Sequence, residues 1–347
     1  MTIARVLIVD DSAFVRDILA RGLAGDPGIE VVGTAQDPFD ARDKIIKLRP
    51  NVMTLDVEMP RMTGIEFLSK LLPQYPIPVV MVSGVTAKGS KLTLQALDLG
   101  AVDFVQKPRV NVERDLPKMV MDLRFKVKMA VDAKVIYKQP EAKPTLAQGD
   151  LKSTFERIVV IGASTGGTQA ISTILKSLPP NFPGVLIVQH MPSGFTSTFA
   201  QQLHECSSLD VKEASEGDRV MTGQALLAPG GRHMVVTRSG DKFRVGIKMG
   251  DPVSGHCPSV DVLMESAAQV GGPNATGVLL TGMGRDGAVG LKAMRDAGAH
   301  TIGQDEKTSV VYGMPREAKL LGAVESEISL DLIAGRLLTL LKTKSSS

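Results

Sequence analysis

Short aliphatic runs alternate with helix-length amphipathic segments from residue 3 to about 110. Apolar runs at 5–9, 30–35, 52–55, 79–83 and 103–106 read as buried strands, and segments 13–24, 39–48, 64–72 and 91–97 read as helices. Repeated β-α units predict a parallel sheet covered by helices on both faces. From 115 to 137, Leu116, Met119, Val120, Leu123, Val127, Ala130 and Val131 recur at steps of three and four. That spacing predicts one amphipathic helix with a core-facing stripe, and Pro117 falls in its first turn, where a missing N–H costs nothing. Residues 138–152, KQPEAKPTLAQGDLK, are poor in apolar positions and carry two prolines and a glycine, so they read as a linker. The β-α pattern resumes at 157, with strands expected at 158–161, 184–189, 224–228, 235–236, 243–247, 277–280 and 300–303. Residues 217–249 hold short strands and turn residues without helix between them, which predicts hairpins.

The chain has 347 residues, enough for about two domains. Hydrophobic residues make up 43% but aromatics only 4%, so the cores must be aliphatic, as parallel sheets require. A net charge of +3 with no dense basic helix argues against nucleic acid as the main ligand. Cys206 and Cys257 are the only cysteines, too few for a disulfide framework, so a reducing, cytoplasmic setting is expected. The N-terminus MTIARVLIVDD lacks the layout of a signal peptide, and no stretch approaches the roughly 18 apolar residues of a membrane span.

Asp10 and Asp11 end the first predicted strand and Asp56 the third. Strand C-terminal ends form the ligand crevice of a parallel sheet. Three carboxylates there repel one another unless a cation neutralises them, and a hard divalent ion such as Mg²⁺ suits oxygen ligands. Ser83 ends the fourth strand and Lys107 follows the fifth. Lys107–Pro108 is an X-Pro bond, so a cis peptide is an option there. One aspartate at a strand end is an ordinary cap; these five residues together at four strand ends are not.

The set Asp10-Asp11, Asp56 in LDVEMPRMTG, Ser83 in VMVSG and Lys107 in FVQKP resembles the receiver domain of two-component response regulators, over about residues 3–122. The resemblance implies that Asp56 is the phosphoacceptor. It also implies that Asp10, Asp11, Asp56 and the Glu58 carbonyl hold Mg²⁺, with Asp10 acting through water. Ser83 and Lys107 would grip the phosphoryl group, and Phe104 would occupy the family's rotating aromatic position. A phosphoryl group adds about −1.5 to −2 charge and three acceptor oxygens, which makes this edge a switch.

Residues 158–167, IVVIGASTGG, run from a buried strand into a glycine-rich turn with one serine, Ser164. Three chemistries suit such a turn. A dinucleotide fold is disfavoured because G-x-G-x-x-G is missing and the next strand ends in Gln189-His190, with no acidic partner. A P-loop needs a lysine after its second glycine, and Thr168 stands there. A serine nucleophile needs a base and an orienting carboxylate at neighbouring strand ends. His190 ends the next strand, and Asp286 follows the strand at 277–280. The order Ser-His-Asp differs from that of the α/β-hydrolases, chymotrypsin and subtilisin. The rival histidines and aspartates have weaker settings: His204 in a helical pattern, His300 opening a strand, His233 and His256 in loops, and Asp218, Asp251 and Asp261 away from strand ends. Cys257 has no metal-ligand partner beside His256 and reads as inert.

IGASTGG with Ser164, QHMP with His190 and LTGMGRDGA with Asp286 resemble the chemotaxis protein-glutamate methylesterases, over about residues 155–344. The resemblance implies two doubly wound parallel-sheet α/β domains: a flavodoxin-like receiver at 1–122 and a Rossmann-like esterase domain with a β-hairpin region at 153–347. A helix extension and linker at 123–152 would join them. It adds Thr165 and Met283 near the reaction centre, where the Thr165 N–H is the generic oxyanion donor and the Met283 N–H the one the resemblance implies. The implied reaction is hydrolysis of glutamate γ-methyl esters on chemoreceptor cytoplasmic domains, with deamidation of receptor glutamines as a second activity and no cofactor for the ester chemistry. The receptors are then the substrate, a chemotaxis histidine kinase is the phosphodonor, and the unphosphorylated receiver inhibits. No nucleic acid partner and no membrane insertion are expected, and a monomer is. The alternatives are a receiver with a DNA-binding or nucleotide-binding output domain. The first needs a basic recognition helix, which is lacking.

Overall fold

The structure, a computed structural model, describes residues 2–84, 86–108, 112–135, 157–240 and 242–342. The chain forms two compact units, Met1–Glu141 and Ala142–Ser347, each with its own sheet. The predicted linker at 138–152 lies outside the described residues.

The first unit alternates strand and helix throughout: β1 (Ala4–Val9), α1 (Ala13–Ala24), β2 (Ile29–Ala35), α2 (Pro38–Leu48), β3 (Val52–Asp56), α3 (Gly64–Leu71), β4 (Val79–Ser83), α4 (Ala87–Asp98), β5 (Asp103–Gln106) and α5 (Val112–Ala130). All strand pairs are parallel, in the order β2-β1-β3-β4-β5. This order reverses at β1, so the crevice opens between β1 and β3 at their C-terminal ends. Every residue of β3 and β4 is buried, as a central parallel strand demands. The helices start where their caps stand. Ser12, Asp37, Thr63 and Thr86 each accept a backbone N–H of the first turn, and Thr63 with Glu66 closes a capping box. Two expectations change here. α5 starts at Val112 and ends at Ala130, so Pro117 sits in the helix interior rather than its first turn. The cis peptide recorded among the described residues is Cys257–Pro258, not Lys107–Pro108.

The second unit begins with β6 (Ile158–Ala163), α6 (Gly167–Leu175), β7 (Gly184–Gln189), α7 (Thr196–Cys206), β8 (Asp210–Glu213) and β9 (Gln224–Leu227). A hairpin follows, β10 (His233–Ser239) with β11 (Lys242–Lys248), then α8 (Val260–Gly271), β12 (Ala275–Leu279) and α9 (Ala288–Asp296). The chain closes with β13 (His300–Gln304), α10 (Met314–Leu320), β14 (Ser326–Ile328) and α11 (Leu330–Lys342). Its main sheet has seven strands in the order β14-β13-β12-β6-β7-β9-β8, all parallel. The chain builds outward from β6 through β7, then returns to lay β12 on the other side. The switch point therefore falls between β6 and β12. Residues 217–249 are only partly hairpin: β10 and β11 pair antiparallel, whereas β9 joins the parallel sheet beside β7. β8 and β14 are short edge strands whose few apolar positions gave no periodic signal. The core is aliphatic, with Phe182, Phe195 and Phe199 as its largest fully buried side chains.

Candidate active site

β6 ends in Ala163, and Ser164 opens the turn into α6. The turn needs Gly166 in the left-handed region (φ 76°), where it caps a helix that has no side-chain cap. Ser164 is fixed on both flanks: its N–H donates to the Thr281 carbonyl at 3.0 Å, and its carbonyl accepts from Gly167 N at 2.7 Å. Past the end of β12, Gly282 lets the chain close on Ser164, since a Cβ there would lie 2.7 Å from the serine Cβ.

β6 and β7 pair with Ala163 opposite Gln189, so the next register position sets Ser164 beside His190. The His190 N–H donates to the Ala163 carbonyl at 3.1 Å, which extends the ladder to that point. The His190 ring is buried, and its Nε2 lies 2.7 Å from Asp286 Oδ2. Its Nδ1 is buried with no protein partner. His256 lies flat on this ring, with centroids 3.6 Å apart and planes 9° apart.

Asp286 is 1% exposed in the turn between β12 and α9. Besides the His190 ring, it accepts from Ser259 Oγ at 2.7 Å, Val260 N at 2.7 Å and Asp261 N at 3.1 Å. Ser259 is the N-cap of α8, so the carboxylate sits on the N-terminus of that helix, where N–H groups and the helix dipole favour an anion. Burial pushes the Asp286 carboxyl up; the His190 contact and the Val260 and Ser259 donors outweigh it and hold it well below the usual carboxylate range. Asp286 is thus a fixed anion that orients Nε2–H. Nδ1 is left as the basic nitrogen, the reverse of the assignment in the chymotrypsin triad.

Asp261 lies beside this pair rather than apart from it. It is 5% exposed and accepts from Gly290 N at 2.8 Å. Burial and the neighbouring Asp286 push it up to about 6 against that backbone bond. His233 opens β10 instead of sitting in a loop, and its Nδ1 accepts the Ser259 N–H at 3.2 Å. Thr165 and Met283 are both buried on the two segments that flank Ser164, and the Thr165 carbonyl accepts from Thr281 Oγ1. His204 is exposed on α7 and His300 pairs with Glu325, both away from the His190–Asp286 contact. Cys257 is half-buried, and burial pushes its thiol up, which disfavours the reactive thiolate. Ser259 and Asp261 carry no sequence motif of their own, while Gln189 and Thr281 fall inside QHMP and LTGMGRDGA without a role read for either. The one available signal was Ser259 ahead of VDVLM, an N-cap before an apolar helix.

The first unit carries a second strand-edge site. Asp10, Asp11 and Asp56 offer carboxylate oxygens within 4.8 Å of one another. Lys107 Nζ lies 2.8 Å from both Asp10 Oδ2 and Asp56 Oδ2. Burial pushes Asp56 up to about 6, against the pull of Lys107 and of the Glu58 N–H. The two carboxylates in turn raise Lys107 despite its burial. One ammonium cannot balance three carboxylates, and an all-oxygen cluster with net negative charge fits a hard divalent cation. Ser83 is buried, and its Oγ accepts from Thr93 Oγ1 at 2.7 Å. Phe104 is buried, with Lys126 Nζ 5.5 Å from its ring centroid.

The comparisons with known proteins divide along the same lines. The family model described as CheB methylesterase matches residues 159–337, and the one described as response regulator receiver domain matches residues 6–120. Among curated relatives, a protein-glutamate methylesterase/protein-glutamine glutaminase of Syntrophotalea carbinolica is 54% identical over 346 residues, 98% of both chains. One of the same name from Pectobacterium atrosepticum is 48% identical over 339 residues, 97% of both. The crystal structure of the Thermotoga maritima CheB methylesterase catalytic domain is 36% identical with a TM-score of 0.52, covering 53% of this chain and 98% of that one.

Proposed function

This chain belongs to the protein-glutamate methylesterase/protein-glutamine glutaminase family, with a receiver domain ahead of the esterase, and we propose that Ser164, His190 and Asp286 are its catalytic triad. The observation that carries the reading is the 2.7 Å contact of His190 Nε2 with a fully engaged Asp286, at the strand end next to Ser164. In this reading Ser164 Oγ attacks the γ-ester carbonyl of a receptor glutamate while His190 Nδ1 takes its proton. Asp286 stabilises the resulting imidazolium. Backbone N–H groups of Thr165 and Met283 hold the oxyanion. Nδ1 returns the proton to the leaving methanol, and water then opens the acyl-enzyme by the same route, leaving a carboxylate. With a γ-amide the leaving group is ammonia, which makes glutamine deamidation the same chemistry. None of these steps calls for a cofactor.

Asp56 is the proposed phosphoacceptor of the receiver, placed at residues 1–122, with a chemotaxis histidine kinase as donor. Asp10, Asp11, Asp56 and the Glu58 carbonyl would hold Mg²⁺, which supplies charge neutralisation during phosphoryl transfer. Lys107 and Ser83 would bind the phosphoryl oxygens. The esterase domain, placed at 153–347 behind the extension at 123–152, acts on chemoreceptors at the cytoplasmic face. Among the described residues no helix is long and apolar enough to cross a membrane. The unphosphorylated receiver restrains the esterase. A switch from 1:99 to 99:1 takes about 5.5 kcal/mol, more than a few phosphoryl contacts supply, so activation is partial.

Methanol release from methylated receptor membranes tests the triad. Ser164→Ala is expected to lose on the order of 10⁶-fold in kcat, by analogy with nucleophile removal in another serine hydrolase. Wild-type-like release would falsify the triad. Removing residues 1–145 is expected to raise basal release, and a truncated enzyme no faster than the unphosphorylated full chain overturns the restraint.

A further inference from the structure

Gln189 ends β7 immediately before the proposed base, and the residue is only 4% exposed. It reaches back toward β6. Its Nε2 donates to the Ser164 carbonyl at 2.9 Å and to the His190 carbonyl at 3.2 Å. A side-chain amide has two N–H hydrogens, and here one goes to the nucleophile's own peptide and the other to the base's. The flipped amide would set its oxygen against two carbonyl oxygens, so the partners fix which end is which. The other end of the amide has a cost. Gln189 Oε1 is buried with no hydrogen-bond partner. It lies over Gly167, where a Cβ would come within 2.2 Å of it. The second glycine of the turn thus leaves room for this amide.

We propose that Gln189 is a positioning residue that ties the nucleophile to its base, an inference that rests on the triad reading above. Ser164 is pinned from the β12 side by the bond from its N–H to Thr281 and from the β7 side by Gln189. The Ser164 carbonyl belongs to the same rigid peptide unit as the Thr165 N–H, so holding one fixes the direction of the other. Backbone bonds anchor Ala163 to His190, one position before the nucleophile. The amide is the bond that carries this anchoring one residue further, to Ser164. A hydrophobic residue of similar length fills the space but holds neither carbonyl. The Ser164 carbonyl then keeps its 2.7 Å bond from Gly167 N but loses its tie to β7, so nucleophile and base can shift relative to each other, and small misplacement of reacting groups is costly in rate while leaving substrate binding intact.

The experiment compares the full-length wild type with Gln189→Met, Gln189→Glu and Ser164→Ala. It reads methanol release from methylated receptor membranes and labelling of the serine by a fluorophosphonate. Gln189→Met is expected to lose roughly ten- to hundredfold in kcat with KM within about twofold. Labelling should reach the full number of sites but more slowly. Gln189→Glu should be slower still, because its carboxylate faces two carbonyl oxygens. A Gln189→Met enzyme with wild-type kcat overturns the brace. So does a loss explained wholly by fewer labelled sites, each turning over at the wild-type rate, since that is misfolding rather than mispositioning. If Ser164→Ala keeps wild-type release, the triad itself fails, whatever Gln189 does.

Discussion

The two units place acidic groups at the same location, the C-terminal edge of a parallel sheet, and treat them in opposite ways. In the second unit Asp286 is surrounded by donors from three residues of the α8 N-terminus and by the His190 ring, and its carboxyl is held down. In the first unit Asp56 is buried among other carboxylates with one lysine, and its carboxyl is pushed up to about 6. The same crevice is thus satisfied in one unit and left short of positive charge in the other. A satisfied anion suits a catalyst that must orient a ring on every turnover, because preorganised dipoles need no rearrangement. An under-neutralised cluster suits a switch, whose state changes when a cation or a phosphoryl group arrives.

The largest test of this contrast is Asp286→Asn. The amide keeps the shape but cannot accept from Nε2–H and the α8 donors with a charge. It also favours the wrong tautomer of His190. A loss of about 10⁴-fold in kcat is expected, as for the equivalent change in a serine protease. A loss under tenfold would mean that the carboxylate serves its three α8 donors and not the imidazole.

Asp56→Asn tests the opposite half. The folded-state pKa of about 6 lies above the ordinary 3.8, so the folded receiver holds the Asp56 proton more tightly than the unfolded chain does. The group's contribution to stability therefore falls as pH rises from about 3.8 through 6. Above that window the ionised form costs on the order of 1–3 kcal/mol. Removing the charge should raise the melting temperature of the first unit by several degrees at pH 7.5, in calorimetry of the full chain without divalent cations. The gain should vanish near pH 4, where both side chains are neutral, and shrink when Mg²⁺ is added at pH 7.5. An unchanged or lower melting temperature at pH 7.5 would show that Lys107 alone satisfies the cluster.

The contrast explains which parts were legible in the sequence. The strand-end residues were, because apolar runs locate the strands and the polar residues that follow fall at the crevice: Asp10, Asp56 and Ser164 arise this way, and His190 one position after Gln189. β4, β5 and β7 begin and end where the apolar runs do. What surrounds Asp286 was hidden, because it depends on α8 arriving from elsewhere in the chain to aim its N–H groups at the turn. Asp261 was set aside for lack of a strand-end setting and proves to donate its N–H to Asp286. The early end of α5 was hidden for another reason. Ala130 and Val131 continue the helical period, and only the chain's departure into a turn at that point ends the helix.

The smallest effect concerns His256, which no counterpart in the acidic pocket matches. One hydrogen bond from Nε2 to Asp286 fixes a point on the His190 ring but leaves the plane free to rock about it. The stacked His256 ring, 3.6 Å away and 9° from parallel, fixes the plane. Aromatic pairs of this kind contribute about 0.5–1.5 kcal/mol beyond area burial, which sets the scale at roughly two- to tenfold in rate. His256→Ala should lower kcat by that factor, and His256→Phe, which keeps a flat face but no ring nitrogen, should recover most of it. If Phe is as slow as Ala, the His256 nitrogens matter and not its face. The esterase site then depends on a polar neighbour beyond the donors of α8, and the contrast between a satisfied and a charge-poised crevice narrows.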